Sequence, residues 1–211
     1  MPAIQRPKGL ATRAAILRKA ADLASVSGLS GLTIASLADS LAMSKSGLFA
    51  HFGSKEDLQL AAVEAAREVF EARVVEAAAH DDPGLARLRS LVEAWTRYVE
   101  SGVFRGGCFF AAVSAEFDDR PGRIRDRVAE LTERWRGLLQ EQAEQARARG
   151  QIDDDADPAQ IAFELHAFLH EANRAFQLHG SVDAFDRTRH ATRRVLEQVI
   201  SDKLLQQMSP K

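Results

Sequence analysis

Residues 32–56 read LTIASLADSLAMSKSGLFAHFGSKE, and this stretch predicts two short helices joined by a tight turn. Thr33 suits the N-cap of the first helix, because its hydroxyl can accept a backbone N–H that has no partner within the helix. Four apolar residues then recur at the i, i+3, i+4, i+7 spacing of one helical face, namely Ile34, Leu37, Ala38 and Leu41. The first helix therefore buries one side and exposes the other.

The second helix is predicted from Lys45 to about Ala50, after a turn at Ala42 and Met43. Leu48 is expected to anchor it inward, because so short a helix is not stable alone. Its outward residues are small or basic, as needed if its N-terminal end enters a DNA major groove: Ser44, Lys45, Ser46 and Gly47.

A third helix is expected to begin directly afterwards. Ser54 followed three residues later by Asp57 is a capping pattern. The N–H groups of such a first turn form a phosphate site, and Lys55 adds positive charge there. This helix is predicted to run to about Ala79, because residues 55–79 contain no Gly or Pro.

Residues 33–56 resemble the DNA-binding domain of TetR-family transcriptional regulators. The resemblance covers roughly the first quarter of the chain and rests on residues that agree in order and spacing: Thr33, Ile34, Leu37, Ala38, Leu41 to Phe52, Ser54, Lys55 and Glu56. It implies an all-α fold of about nine helices. An N-terminal three-helix DNA-binding domain would precede a C-terminal helical domain for effector binding and dimerisation.

Two residues depart from the family pattern. The family usually has Tyr where this chain has Phe49, which keeps the packing and loses the hydroxyl that typically contacts a DNA phosphate. The family often has Gly where this chain has Ala42. If that position needs a positive φ, alanine costs on the order of 1 kcal/mol.

The expected domain boundaries follow from the resemblance and the helix pattern. Residues 1–54 form the DNA-binding domain, a bridging helix covers 55–79, and residues 64–211 form the effector-binding and dimerisation domain. The apolar helices 158–179 and 183–205 are expected to pair with their twins in a homodimer. Packing of both helices within the monomer alone is the alternative.

The charge of the chain is unevenly distributed. The net charge is −2, but residues 1–55 carry seven Lys or Arg and two acidic residues, whereas the rest carries 21 basic and 28 acidic residues. Only the N-terminal part is therefore expected to meet a polyanion, double-stranded operator DNA.

Cysteine content and hydropathy indicate the compartment. One cysteine in 211 residues, Cys108, excludes an intrachain disulfide framework and fits a reducing cytosol. The first 23 residues have no apolar core of signal-peptide length, and no apolar run reaches membrane-span length. A cytoplasmic location without membrane association is expected.

Lys45 is the expected base contact, since lysine can donate to guanine O6 and N7. Gly47 would allow a base or a thymine methyl group to approach. Thr33, His51 and Lys55 match family positions that touch phosphates, although each could instead be a cap or a surface residue.

A ligand site is expected in the C-terminal domain. Its candidate lining residues are aromatic or lie on one face of a helix: Trp95, Tyr98, Phe109, Phe110, Trp135, Phe163, His166, His170 and Asn173. Aromatic residues at helical spacing are more often core than pocket. The spacing of His166 and His170 also suits two metal ligands, but no further ligand motif accompanies it, so no metal is expected.

The sequence thus predicts a DNA-binding transcriptional regulator, a ligand-responsive repressor that binds a palindromic operator as a dimer. It shows no phosphate-binding loop or nucleophile motif, so neither an enzyme nor a cofactor is expected. Two alternatives remain: an effector-independent regulator whose C-terminal domain is only a dimerisation or partner platform, and an enzyme on a borrowed fold.

Overall fold

The computed structural model describes residues 7–201, apart from the side chains of residues 7–12 and of Phe49. Within this range the chain forms nine helices and no strand. Helix α4 covers residues 55–78 and is α-helical except for a π-helical segment, Glu71–Val75. The other eight are α1 Pro7–Gly31, α2 Ile34–Leu41, α3 Lys45–Phe52, α5 Leu85–Glu100, α6 Phe109–Phe117, α7 Arg123–Ala148, α8 Pro158–His179 and α9 Asp183–Gln198.

The expected all-α fold class and helix number are confirmed. Helix α1 is interrupted at Gly28, whose φ of 73° and ψ of 163° are not helical. Glycine allows this conformation because it has no Cβ. The interruption divides α1, and residues 28–31 form its last turn before α2.

Contacts divide the chain into two compact units. Unit 1 comprises Met1–Val69 and Phe104–Ala129, and unit 2 comprises Phe70–Val103 and Glu130–Lys211. This division differs from the domains expected along the sequence, because residues 104–129 pack with the N-terminal helices. The functional assignment of residues 1–54 and 64–211 stays a prediction.

Unit 1 has its core between α1 and the following three helices. Its central apolar side chains have no solvent-exposed surface: Leu29, Leu32, Leu37, Leu48 and Leu58. Residues 104–129 add polar contacts to α1. Arg105 Nε lies 2.9 Å from Asp22 Oδ2, and the Gly106 N–H donates to Ser25 Oγ at 3.0 Å.

Unit 2 contains α5, α8, α9 and parts of α4 and α7. Arg189 of α9 joins α5 by donating to Glu93 at 3.0 Å and to Glu100 at 2.7 Å. The core contains fully buried Trp95 and Phe185. Leu165 and Leu169 of α8 are also buried, so both helices of the α8–α9 hairpin contribute to the packing of this unit.

The last helix is shorter than predicted. Helix α9 ends at Gln198 instead of residue 205, and residues 202–205 lie outside the described range. The Val199 carbonyl accepts the Asp153 N–H at 2.9 Å, and Ile200 forms an isolated antiparallel bridge with Ile152. These long-range bonds engage the backbone where a longer helix would continue.

Among the residues that the structure describes, no helix is both long and apolar enough to span a membrane.

Candidate DNA-binding surface and effector domain

The first helix of the DNA-binding stretch begins as the sequence predicts. Thr33 is the N-cap of α2, and its hydroxyl accepts the Ser36 N–H at 3.0 Å. Ser36 Oγ accepts the Thr33 N–H in return, also at 3.0 Å. This reciprocal pair satisfies two donors at the helix start. The expected phosphate contact of Thr33 is not tested by these bonds and stays a prediction.

The turn between α2 and α3 requires a left-handed residue. Ala42 has a φ of 50° and a ψ of 38°, and its N–H reaches the Ala38 and Asp39 carbonyls. Ala42 is the one non-glycine residue with positive φ in the described chain. Position 42 therefore needs a positive φ, and alanine is strained there because L-residues are unfavourable in this region.

Helix α3 presents its N-terminal turn to solvent. Ser44 Oγ accepts the Gly47 N–H at 3.2 Å and so caps the start of α3. Leu48 is fully buried, as predicted. Lys45, Ser46 and Gly47 are exposed together with Ser44. The structure thus brings the four predicted base-reading residues into one accessible turn.

The other predicted DNA contacts lie around this turn. His51 is exposed in the last turn of α3, whereas the side chain of Phe49 lies outside the described part of the chain. Ser54 caps α4 by accepting the Asp57 N–H at 3.0 Å, as predicted. Lys55 is exposed and donates to the Ser30 carbonyl at 2.7 Å.

A further positively charged side chain, Arg13, lies beside α3, and no motif in the sequence predicts this position. The Arg13 guanidinium of α1 lies 5.6 Å from the ring centre of Phe52, within cation–π distance. Phe52 belongs to the TetR-like motif but Arg13 does not, and the contact joins residues far apart in the chain. It adds positive charge to unit 1 beside the end of α3.

Three predicted ligand residues lie within unit 2, and two of them contact Phe70. Trp95, Tyr98 and Trp135 are all buried. The ring of Phe70 packs edge-on against Tyr98 at 5.7 Å and against Trp135 at 5.1 Å. Phe70 immediately precedes the π-helical segment of α4, so these aromatic side chains are packed where α4 changes its geometry.

The polar ligand candidates lie on α8. The rings of His166 and His170 are 4.3 Å apart, and Asn173 is buried one turn further on. Burial, with the positive charges of His170 and Arg136, lowers the pKa of His166 to about 4. Burial also lowers the pKa of His170. The pair is therefore neutral at pH 7 and offers hydrogen bonds without charge.

The remaining ligand candidates differ in their unit or in their exposure. Phe109 and Phe110 belong to unit 1 and pack edge-on at 5.3 Å, while Phe163 of α8 is mostly exposed. Cys108 beside them is buried. Among the described residues, no group of three or more His, Cys, Asp or Glu side chains could hold a metal ion.

Two surface grooves lie within the described part of unit 2. One of about 590 Å³ lies between α5 and α9, and one of about 210 Å³ lies between α8 and α9. None of the predicted ligand residues lines either groove. These two grooves are thus formed by other residues.

Two protein-family models match the chain. A model described as "Tetracyclin repressor-like, C-terminal domain" matches residues 84–192, which is more than half of the chain. A model described as "Bacterial regulatory proteins, tetR family" matches residues 16–62. The chain belongs to the TetR family of transcriptional regulators.

Solved structures of TetR regulators share the fold. One from Chloroflexus aurantiacus is 26% identical with a TM-score of 0.85, and the match covers 93% of this chain and 100% of that one. AibR, in complex with isovaleryl coenzyme A and operator DNA, is 22% identical with a TM-score of 0.68, covering 89% and 98% of the two chains.

A putative regulator from Saccharomonospora viridis in complex with choline is 23% identical. Its TM-score is 0.75, and the match covers 92% of this chain and 99% of that one. At these identities the second and third structures show likeness of fold alone. No curated protein sequence matches the chain significantly.

Membership in the TetR family settles the coarse function. TetR proteins are DNA-binding transcriptional regulators and not enzymes, so this chain regulates transcription by binding DNA. The predicted family, fold class and absence of enzymatic activity are confirmed on this ground.

Proposed function

We propose that this TetR-family protein is a ligand-responsive repressor that binds a palindromic operator as a homodimer in the cytoplasm. The observation that carries the proposal is the exposed first turn of α3, Ser44 to Gly47, held by buried Leu48. Such a turn can enter the major groove. Two copies in a dimer would read half-sites about 34–36 Å apart.

Residue roles in the operator complex follow from position and charge. Lys45 donates to guanine, and Ser44 and Ser46 contact base edges or phosphates beside it. Gly47 leaves room for a base because it has no side chain. Phosphates are bound by Thr33, His51 and Lys55.

The dimer forms through α8 and α9. Phe163, Leu178 and Val182 of this hairpin are each more than half exposed, although they are large and apolar. A second copy would remove these side chains from water, which favours association. Phe163→Glu is expected to yield monomers in analytical ultracentrifugation. A variant that stays dimeric would exclude this face as the interface.

Effector binding is assigned to the C-terminal domain, residues 64–211. The contacts of Tyr98 and Trp135 with Phe70 support this, because a ligand that displaces either ring would act on α4 beside its π-helical segment. We infer that the resulting tilt of the bridging helix, residues 55–79, changes the separation of the two DNA-binding domains. Effector and operator would then oppose each other.

A direct assay for this site uses the intrinsic fluorescence of the protein. The two tryptophans of the chain, Trp95 and Trp135, both belong to the proposed ligand set. Isovaleryl coenzyme A and choline, bound in two neighbouring structures, are the first probes. A true effector changes the emission and weakens operator binding. A ligand that changes the emission and leaves operator affinity unchanged would contradict the coupling.

One observation favours the alternative of an effector-independent regulator. Trp95, Tyr98 and Phe109 are buried, and neither described groove reaches them. Buried candidate residues that lie outside these grooves are what a C-terminal domain serving only dimerisation or partner binding would have. Under this alternative, compounds would leave operator affinity unchanged.

The DNA-binding proposal is tested by selecting bound sequences from a random pool. The wild type is expected to enrich one palindromic site. Lys45→Ala is expected to bind that site about tenfold or more weakly, because a base contact is worth roughly 1–3 kcal/mol. Lys19→Ala is the matched control, since Lys19 lies on α1 and 3.8 Å from Asp22. Equal affinities of both variants would remove Lys45 as a base contact.

A further inference from the structure

The last turn of α1, residues 28–31, is held by a carboxylate from another part of the chain. The N–H groups of Leu29 and Ser30 donate to the two oxygens of Glu116 at 2.6 and 2.7 Å. Consecutive N–H groups that converge on an anion form a concave binding site. Bonds to a charged acceptor are also stronger than neutral ones. Glu116 therefore fixes the backbone of this turn.

The turn is shaped around this carboxylate. A Cβ on Gly28 would lie 2.6 Å from Glu116 Oε2, and the φ of Gly28 is +73°. Arg120 completes the contact, because its guanidinium donates to Ser30 Oγ at 2.9 Å and lies 3.8 Å from Glu116. Only 16% of the Glu116 side chain is exposed, so water competes poorly for it.

The carbonyl groups of the same turn face helix α4. Gln59, which is buried, donates to the Leu29 carbonyl, and Lys55 donates to the Ser30 carbonyl at 2.7 Å. The donors of the turn are thus bound by α6 and its acceptors by α4. Helices α6 and α4 together fix the backbone of this short segment.

This segment leads directly into the DNA-binding helices. Thr33, the N-cap of α2, lies three positions after Ser30, and buried Leu32 lies between them. Any displacement of the turn therefore shifts the start of α2, on which α3 packs. Glu116 itself lies within the part of the chain that matches the C-terminal regulatory domain.

We propose that Glu116 is a positioning residue for operator binding, whose carboxylate holds residues 28–31 in the geometry that presents α3 to DNA. It touches no DNA itself. The inference rests on the proposed operator recognition. It assigns to α6 a part in DNA binding that the family match to the C-terminal domain does not assign.

The test compares Glu116→Gln with Asp118→Asn in the full chain. Both remove one negative charge from neighbouring positions, and Asp118 is exposed. Operator affinity is measured by fluorescence anisotropy at several salt concentrations, with the site selected by the wild type. Glu116→Gln is expected to bind about tenfold more weakly with a shallower salt dependence, because fewer phosphates are contacted together. Asp118→Asn is expected to change affinity less than about twofold.

Amide hydrogen exchange supplies a readout that stability alone does not move. In folded Glu116→Gln, the amides of Leu29 and Ser30 are expected to exchange faster, while those in the core of unit 2 keep wild-type rates. If Glu116→Gln is unfolded at the assay temperature, Glu116→Asp is measured instead. Its charge is kept and its reach is one methylene shorter, so an intermediate affinity is expected.

The proposal would be overturned if the folded variant had wild-type operator affinity and wild-type exchange rates at Leu29 and Ser30. Wild type that selects no site would instead overturn the operator recognition on which it rests, so the two failures are distinguishable.

Discussion

Replacing Ala42 with glycine should stabilise the protein, although glycine usually weakens helical proteins. Ala42 has a φ of 50° and is exposed, so its methyl group is strained and packs against little. The left-handed conformation costs an L-residue roughly 1–2 kcal/mol. Glycine offsets roughly 0.4–1 kcal/mol of this strain relief, because it gives the unfolded chain more conformational freedom. The expected gain in unfolding free energy is about 0.5–1 kcal/mol.

The assay is thermal unfolding followed by circular dichroism. A gain of this size corresponds to a rise in Tm of about 2 °C for a chain of this length. Ala129→Gly is the matched control, because Ala129 is also exposed but lies inside helix α7. The same substitution there should lower stability by about 1 kcal/mol. If Ala42→Gly lowered Tm as Ala129→Gly does, the strain assigned to the turn would be wrong.

Two glycines and one histidine give the remaining predictions. Gly137→Ala should raise the unfolding free energy by up to about 1 kcal/mol, because its Cβ meets open space in a helix. Gly106→Ala should lower it by more than about 2 kcal/mol, because its Cβ would overlap the Ser25 carbonyl; equal effects in urea unfolding would contradict both. The pKa of His166 is about 4 in the folded protein, against 6.5 for the free side chain, so the unfolded state binds more protons between these values. The unfolding free energy should therefore fall as pH falls through this window. In the His166→Gln variant, the unfolding free energy should fall less steeply between pH 7 and 5. Identical slopes in the two proteins would refute the assignment.

The sequence by itself determined the local structure of the DNA-binding part. Thr33, Ser44 and Ser54 each cap a helix by a bond to a residue three positions away. Such bonds depend on neighbours in the chain, so their residue types and spacing are visible in the sequence. The apolar faces of the helices follow for the same reason, since helical periodicity is a local property.

The tertiary structure alone decided how distant segments are joined. Leu29 and Glu116 are 87 positions apart, and nothing in either neighbourhood predicts their hydrogen bond. The end of α9 at Gln198 likewise depends on bonds to residues near Ile152. Contacts of this kind arise only when whole helices pack. For that reason residues 104–129 lie in unit 1, although the sequence places them among the C-terminal helices.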